Sequence, residues 1–306
     1  MSASPISPGA GRYAPSPSGD LHLGNLRTAI LAWVLARRTG RAFRLRVEDL
    51  DRVREGSEQR QLEDLAALGL DWDGEVVRQS ERGAAYEQAI ARLETRSLVF
   101  ECYCTRREIL EAPSAPHAPP GAYPGTCRDL SSAARAQGRQ RMRELRREPA
   151  LRLRAEEPGW RVHDLWAGEV SGTVDDLVLR RGDGVVAYNL AVVVDDAAAA
   201  VDQVVRADDL LSSAPRQAYL AQLLGLPEPS YAHVPLAVNA EGARLAKRDG
   251  AVTLRDRCAQ GESVAEVVGR IGDSLGVPGC RTAADMLDRW DPATLLREPW
   301  VVQLPG

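Results

Sequence analysis

Residues 11 to 47 constrain the fold more than any other stretch. Gly11-Arg12-Tyr13-Ala14-Pro15-Ser16-Pro17-Ser18-Gly19 reads as a short strand running into a loop held by proline and glycine. Behind it Leu26, Ile30, Trp33, Val34 and Leu35 recur at near-helical spacing. That pattern stops at Arg37-Arg38-Thr39-Gly40, with cations for the last carbonyls and glycine at the end. Phe43 to Val47 then alternates apolar side chains with arginine, which predicts a strand closing at Glu48-Asp49. Strand, helix, strand in this order predicts parallel pairing, and with it an α/β sheet covered by helices.

A chain of 306 residues exceeds one simple core, so a main domain carrying an insertion is expected. Residues 58 to 70 and 84 to 96 read as two further amphipathic helices. Near residue 100 the composition changes: five prolines fall between Pro113 and Pro124, and residues 135 to 154 hold eight arginines against two glutamates. The apolar run Val185 to Val194 predicts a strand buried on both faces, where the sheet resumes. A helix at 214 to 225, a strand over Tyr231 to Val238, a loop at 241 to 250 and a helical end follow. The expected division is residues 1–100 and 185–255 as two halves of one sheet domain, 101–184 as the insertion, and 256–306 as a helical C-terminal region, which seals the core in a first reading and supports an RNA loop in a second.

No apolar run approaches the ~18 residues of a membrane span. Met-Ser-Ala-Ser-Pro has neither the basic start nor the apolar stretch of a secretory signal, and five cysteines are an odd number, so a cytoplasmic address is expected; a monomer is expected separately, with nothing in the sequence that fixes the oligomeric state.

Of 39 basic residues one is a lysine, Lys247, inside Arg244-Leu245-Ala246-Lys247-Arg248-Asp249-Gly250. An ammonium on a flexible stem can follow a migrating phosphate charge in a way a rigid guanidinium fork cannot. His22-Leu23-Gly24-Asn25 opens the first helix, where free N–H groups and the positive dipole end suit an anion. Cys102-x-Cys104 and Cys127 are three soft ligands for zinc. Tyr123 is a phenolate-capable fourth, and from spacing alone His117 is the more conventional one. Cys258 and Cys280 have no partner pattern and are expected in the core. The arginine-rich stretch 135–154 is the place to look for contacts with an RNA backbone.

Arg12 to Asn25, followed by Arg27-Thr28-Ala29 and Arg46-Val47-Glu48-Asp49-Leu50-Asp51-Arg52, strongly resembles the catalytic core of class I glutamyl-tRNA synthetases. His22 to Asn25 stands where that family has its HIGH motif and Arg244 to Arg248 where it has KMSKS. Tyr188-Asn189-Leu190-Ala191 and Arg206-Ala207-Asp208-Asp209 resemble two more of its segments. The resemblance covers roughly residues 11 to 255. It implies a Rossmann-type parallel sheet with a zinc-containing insertion, and glutamate activation by ATP with accompanying Mg2+.

Only 56 residues follow Gly250, too few for a helical anticodon-binding region. This points to the truncated branch of the family, which attaches L-glutamate to queuosine in the anticodon loop of tRNA(Asp). Glutamate bears two carboxylates and one ammonium, a charge pattern that Arg12, Arg206 and Glu48 complement. By resemblance Arg12 and Ser16 sit at the amino-acid pocket, Glu48 takes the α-ammonium, and Tyr188 and Arg206 complete the carboxylate contacts. His22, Gly24, Asn25 and Lys247 meet ATP, and Cys102, Cys104, Tyr123 and Cys127 hold one structural zinc. The chain departs from the family at Asn25, Ala207, Arg244 and Ala246; Ala207 could narrow the pocket.

Overall fold

The computed structural model describes residues 9–111, 123–245, 250 and 252–303. The opening unit is present as read: β1 (Ala10–Tyr13), α1 (Leu23–Arg38) and β2 (Ala42–Val47), with β1 and β2 parallel. Next come α2 (Ser57–Ala67), β3 (Val77–Arg78), α3 (Gly83–Thr95), β4 (Val99–Cys102), α4 (Arg106–Glu111), α5 (Ser132–Glu144), β5 (Ala150–Leu153), β6 (Gly159–Asp164), β7 (Gly168–Thr173) and β8 (Val178–Arg180). The chain continues through α6 (Tyr188–Ala198), β9 (Val201–Ala207), α7 (Ala214–Leu223), β10 (Ser230–Val234), β11 (Ala237–Val238), α8 (Leu254–Ala259), α9 (Val264–Ser274), α10 (Ala283–Arg289) and β12 (Trp300–Val301).

A seven-stranded sheet runs β3-β2-β1-β9-β10-β6-β7, parallel throughout except for β7. From β1 the chain winds outward through β2 to β3, and from β9 outward through β10. The winding therefore reverses between β1 and β9, and in open sheets of this kind a crevice forms beyond the carboxyl ends of the strands at that point. β4, β5 and β8 form a separate antiparallel sheet, whereas β6 and β7 from the same stretch of chain extend the main one.

The alternation in β2 sorts its two faces. Phe43 and Leu45 pack with Tyr13, Val205 and Val234 against α1, while Arg44 and Arg46 fall on the opposite face. A Cβ at Gly11 would lie 2.8 Å from Ala36 Cβ, so glycine is what lets α1 lie this close to β1.

Val185 to Val194 is not the expected strand. Residues 188–198 form helix α6, and β9 behind it supplies the strand. Leu190, Ala191 and Val193 pack into a core with α3 and α7, and Asp195 and Asp196 are buried as well. Burial on nearly every side erases the polar face that marks a helix, and a short apolar run then looks the same in either state.

The C-terminal helices pack against α1. Val267, Val268 and Ile271 of α9 and Met286 of α10 join the cluster that contains Leu26 and Ile30 of α1. These helices are short, and α8, α9 and α10 each begin with a capping box, from Thr253, Ser263 and Thr282. Cys280 is buried as read, but Cys258 is exposed. Among the described residues no helix is long and apolar enough to cross a membrane.

Candidate active site

The arginine-bearing face of the sheet meets α6 at Asp196. Its Oδ1 accepts from Arg12 Nε at 3.3 Å and from Arg46 Nη1 at 2.5 Å, and Arg46 Nη2 donates to Glu48 Oε1 at 3.2 Å. Arg12 and Arg46 are each 4% exposed. Arg12 also donates through Nη1 to the Val205 carbonyl on β9, at 3.1 Å, which spans the winding reversal. Burial raises the Asp196 carboxyl, but Arg46 and Arg12 outweigh it and hold the group below its ordinary range. For Glu48 the balance is opposite: burial leads, and its carboxyl stays above the ordinary value despite Arg46 and Arg12. A carboxylate under that strain gains from an arriving cation.

Arg206, at the carboxyl end of β9, is 5% exposed. Its Nε donates to His233 Nε2 at 2.9 Å and its Nη1 to Gln217 Oε1 at 2.7 Å. His233 Nδ1 lies 2.7 Å from Asp164 Oδ2. Since Nε2 accepts, the ring proton sits on Nδ1 and goes to Asp164. Burial first, and then Arg206, keep His233 below its ordinary pKa even with Asp164 opposing, so the ring is neutral at pH 7.

Tyr188 begins α6 and is 39% exposed, with its phenol in the field of Glu48, Arg206 and Arg12. Ser16 lies exposed on the loop after β1. That loop is tied down by Gln61, whose Nε2 donates to the Ser16 and Gly19 carbonyls, and by Glu48 N, which donates to Pro15 O at 3.0 Å. The Tyr188 phenol is thus acted on by the charges of Glu48, Arg206 and Arg12 together, whereas the Ser16 carbonyl is taken by Gln61.

His22 is the N-cap of α1. Its Nδ1 accepts from Asn25 N at 3.3 Å, and Asn25 Oδ1 accepts from His22 N at 3.3 Å. In the neutral ring this leaves the proton on Nε2. A Cβ at Gly24 would come 2.7 Å from Ala237 Cβ and 3.1 Å from the His22 ring, so the first turn packs on β11 only with glycine there. Leu245 N donates to Ala237 O at 3.1 Å, and Val252 O accepts from Leu23 N at 2.8 Å, so both flanks of the lysine loop are fastened beside this helix start. Lys247 and Ala246 themselves lie outside the described residues. Arg244, a departure from the family pattern, pairs with Asp209 Oδ2 at 2.5 Å.

The Cys102, Cys104 and Cys127 sulfurs all lie within 4.8 Å of one another, and those of Cys104 and Cys127 are 3.6 Å apart. Tetrahedral zinc with Zn–S near 2.3 Å holds its sulfurs about 3.8 Å apart, so this cluster can bind a metal. Tyr123 Oη is 3.5 Å from Cys102 Sγ and accepts from Cys127 N at 2.7 Å, while the Arg152 guanidinium sits 3.8 Å from its ring centre. The hydrogen bond from Cys127 leads in drawing the Cys102 thiol down to about 5, and Tyr123 and Arg152 pull the same way against burial. His117 lies outside the described residues. Beside the cluster, Arg128, Arg135, Arg139 and Arg154 line a groove of about 460 Å³.

Sequence reading missed Asp196, Arg46, Asp164, His233 and Gln217. Arg46 carried one usable signal, a charged residue inside an apolar alternation. The others come together only in space.

The model for the catalytic domain of class I tRNA synthetases (E and Q) matches residues 10–270, and the chain belongs to that family of ligases. Within the family it sides with relatives named Glutamyl-Q tRNA(Asp) synthetase. The one from Nocardia farcinica is 64% identical, covering 96% of this chain and 93% of that protein. The one from Symbiobacterium thermophilum is 44% identical, covering 97% and 96%. The structure of a glutamate tRNA ligase from Elizabethkingia meningosepticum superposes with a TM-score of 0.78 at 22% identity, covering 95% of this chain and 66% of that one, which shows the shared fold.

Proposed function

We propose that this enzyme, acting as a cytoplasmic monomer, activates L-glutamate with ATP in the absence of RNA and transfers the glutamyl group to queuosine in the anticodon loop of tRNA(Asp). The supporting observation is that Glu48 together with Arg12 and Arg206, on the neighbouring strands β1 and β9, acts on the Tyr188 phenol, a charge pattern complementary to glutamate. In this reading Glu48, raised by its burial, receives the α-ammonium, while Arg12, Arg206, Tyr188 and Ser16 receive the carboxylates. The glutamate α-carboxylate, ionised at neutral pH, attacks the α-phosphorus of ATP; the new P–O bond forms as the bond to pyrophosphate breaks. No general base is needed, so catalysis rests on position and charge. His22 with Gly24 and Asn25 at the start of α1 serves the phosphates, Lys247 the departing pyrophosphate, and Mg2+ arrives with ATP.

Cys102, Cys104, Cys127 and Tyr123 fit one structural zinc, and the arginines of α5 and the groove beside it offer a surface to the RNA backbone. The names of the relatives support the queuosine reading. The test is ATP–pyrophosphate exchange dependent on glutamate without RNA, followed by transfer to tRNA(Asp) with and without the queuosine modification. Absence of queuosine should abolish transfer. Equal transfer to tRNA(Asp) lacking queuosine would point instead to charging of an acceptor end.

A further inference from the structure

Asp164, His233 and Gln217 have no part in the reaction as described, yet all three are buried and bear on a single guanidinium. They come from three elements: the end of β6, the carboxyl end of β10 and the core side of α7. Asp164 is clamped on both oxygens. Oδ1 accepts from Trp166 N at 3.0 Å and Ala167 N at 2.8 Å, and Oδ2 from His233 N at 3.0 Å and the His233 ring at 2.7 Å. The ring therefore has one orientation and one tautomer. Its single lone pair, on Nε2, takes Arg206 Nε–H, and Gln217 takes an Nη1 hydrogen. Gln217 is held in turn by Asn189 Oδ1 at 3.0 Å, one residue from Tyr188. Two anchored N–H groups fix the plane of a guanidinium, and a planar fork recognises a carboxylate only when that plane is correct.

We infer that His233, oriented by Asp164, is a positioning residue that holds the Arg206 plane for a substrate carboxylate and so sets the affinity for glutamate. This rests on the reading above that Arg206 meets the amino acid. The asymmetry of the ring supplies a test. In His233→Asn the amide takes the place of Nδ1, which keeps a donor for Asp164 but removes the acceptor for Arg206. In His233→Gln the amide reaches the place of Nε2, which keeps the acceptor and gives up the donor.

Glutamate-dependent exchange should show KM for glutamate raised about tenfold in His233→Asn, with KM for ATP unchanged, and within about threefold of wild type in His233→Gln. A purely structural role for His233 predicts equal effects of both variants on glutamate and ATP, and that result, or an unchanged KM in His233→Asn, overturns the inference. Absence of exchange in the wild type would instead overturn the proposed function. If neither variant folds, Asp164→Asn takes their place: it leaves the ring present but removes the charge that keeps its proton on Nδ1. Raised KM for glutamate alone would support the assignment, and unchanged KM would overturn it.

Discussion

The amide of Leu23 donates to the carbonyl of Val252 at 2.8 Å, joining the first turn of α1 to the chain that returns from the lysine loop. This bond and the bridge between His22 and Thr253 do not involve the Lys247 side chain. Lys247→Ala should therefore leave these two links in place while lowering exchange about a hundredfold or more, the usual cost of removing one group that stabilises developing charge. Full activity in that variant would remove Lys247 from the mechanism.

Gly24→Ala places a methyl 2.7 Å from Ala237 Cβ and 3.1 Å from the ring of His22. Overpacking of this kind costs about 1–3 kcal/mol. The melting temperature should fall and KM for ATP should rise, because the ring is pushed off its cap. Gly83→Ala, with nothing within 4 Å of the added methyl, is the control and should be neutral.

Asp196→Asn removes the charge shared by Arg12 and Arg46. Stripping one partner from a buried ionic cluster costs about 3–5 kcal/mol, so urea unfolding should move to much lower denaturant, and glutamate binding should weaken with it. Loss of glutamate affinity at full stability would mean that Asp196 acts on the substrate and not through the two arginines.

Chelation should lower the melting temperature by destabilising the small core of Phe100, Cys102, Tyr103, Cys127 and Met142 around the cysteines. Elemental analysis of the purified protein should find about one zinc per chain, lost in Cys104→Ser. RNA-independent exchange should survive, since β4 and β5 belong to a separate sheet. Metal content indifferent to Cys104 would refute the site.

Asp64 carries a buried Oδ2 without a hydrogen-bond partner among the described residues, and Arg255 Nε lies 3.5 Å from its Oδ1. Burial leads in lifting its carboxyl to about 6. An unfolded aspartate titrates near 3.9, so between about pH 4 and 6 the fold holds a proton that the unfolded chain has lost. The contribution of Asp64 to stability thus falls as pH rises through this window. Asp64→Asn should be more stable than wild type at pH 7.5, with the gain shrinking towards pH 4 in urea titrations. A gain independent of pH would contradict the assignment.

Local chemistry was enough to reveal the opening strand, helix and strand and the cysteine cluster, because each depends on periodicity or short spacing; the cap that His22 makes on Asn25 appeared only in the structure. The proposed roles of Arg12, Glu48 and Arg206 came from the resemblance to the family, and that of Lys247 from its being the single lysine of the chain. Local chemistry misjudged α6, where burial on all sides hid the helical period, and Cys258, whose exposure depends on how α8 lies against its neighbours. Only the tertiary structure could decide what those charges touch. Asp196 lies 184 residues from Arg12, and Asp164 lies 69 from His233. A buried charge takes its partner from whatever the packed strands and helices bring within about 3 Å, and sequence spacing carries no record of that choice.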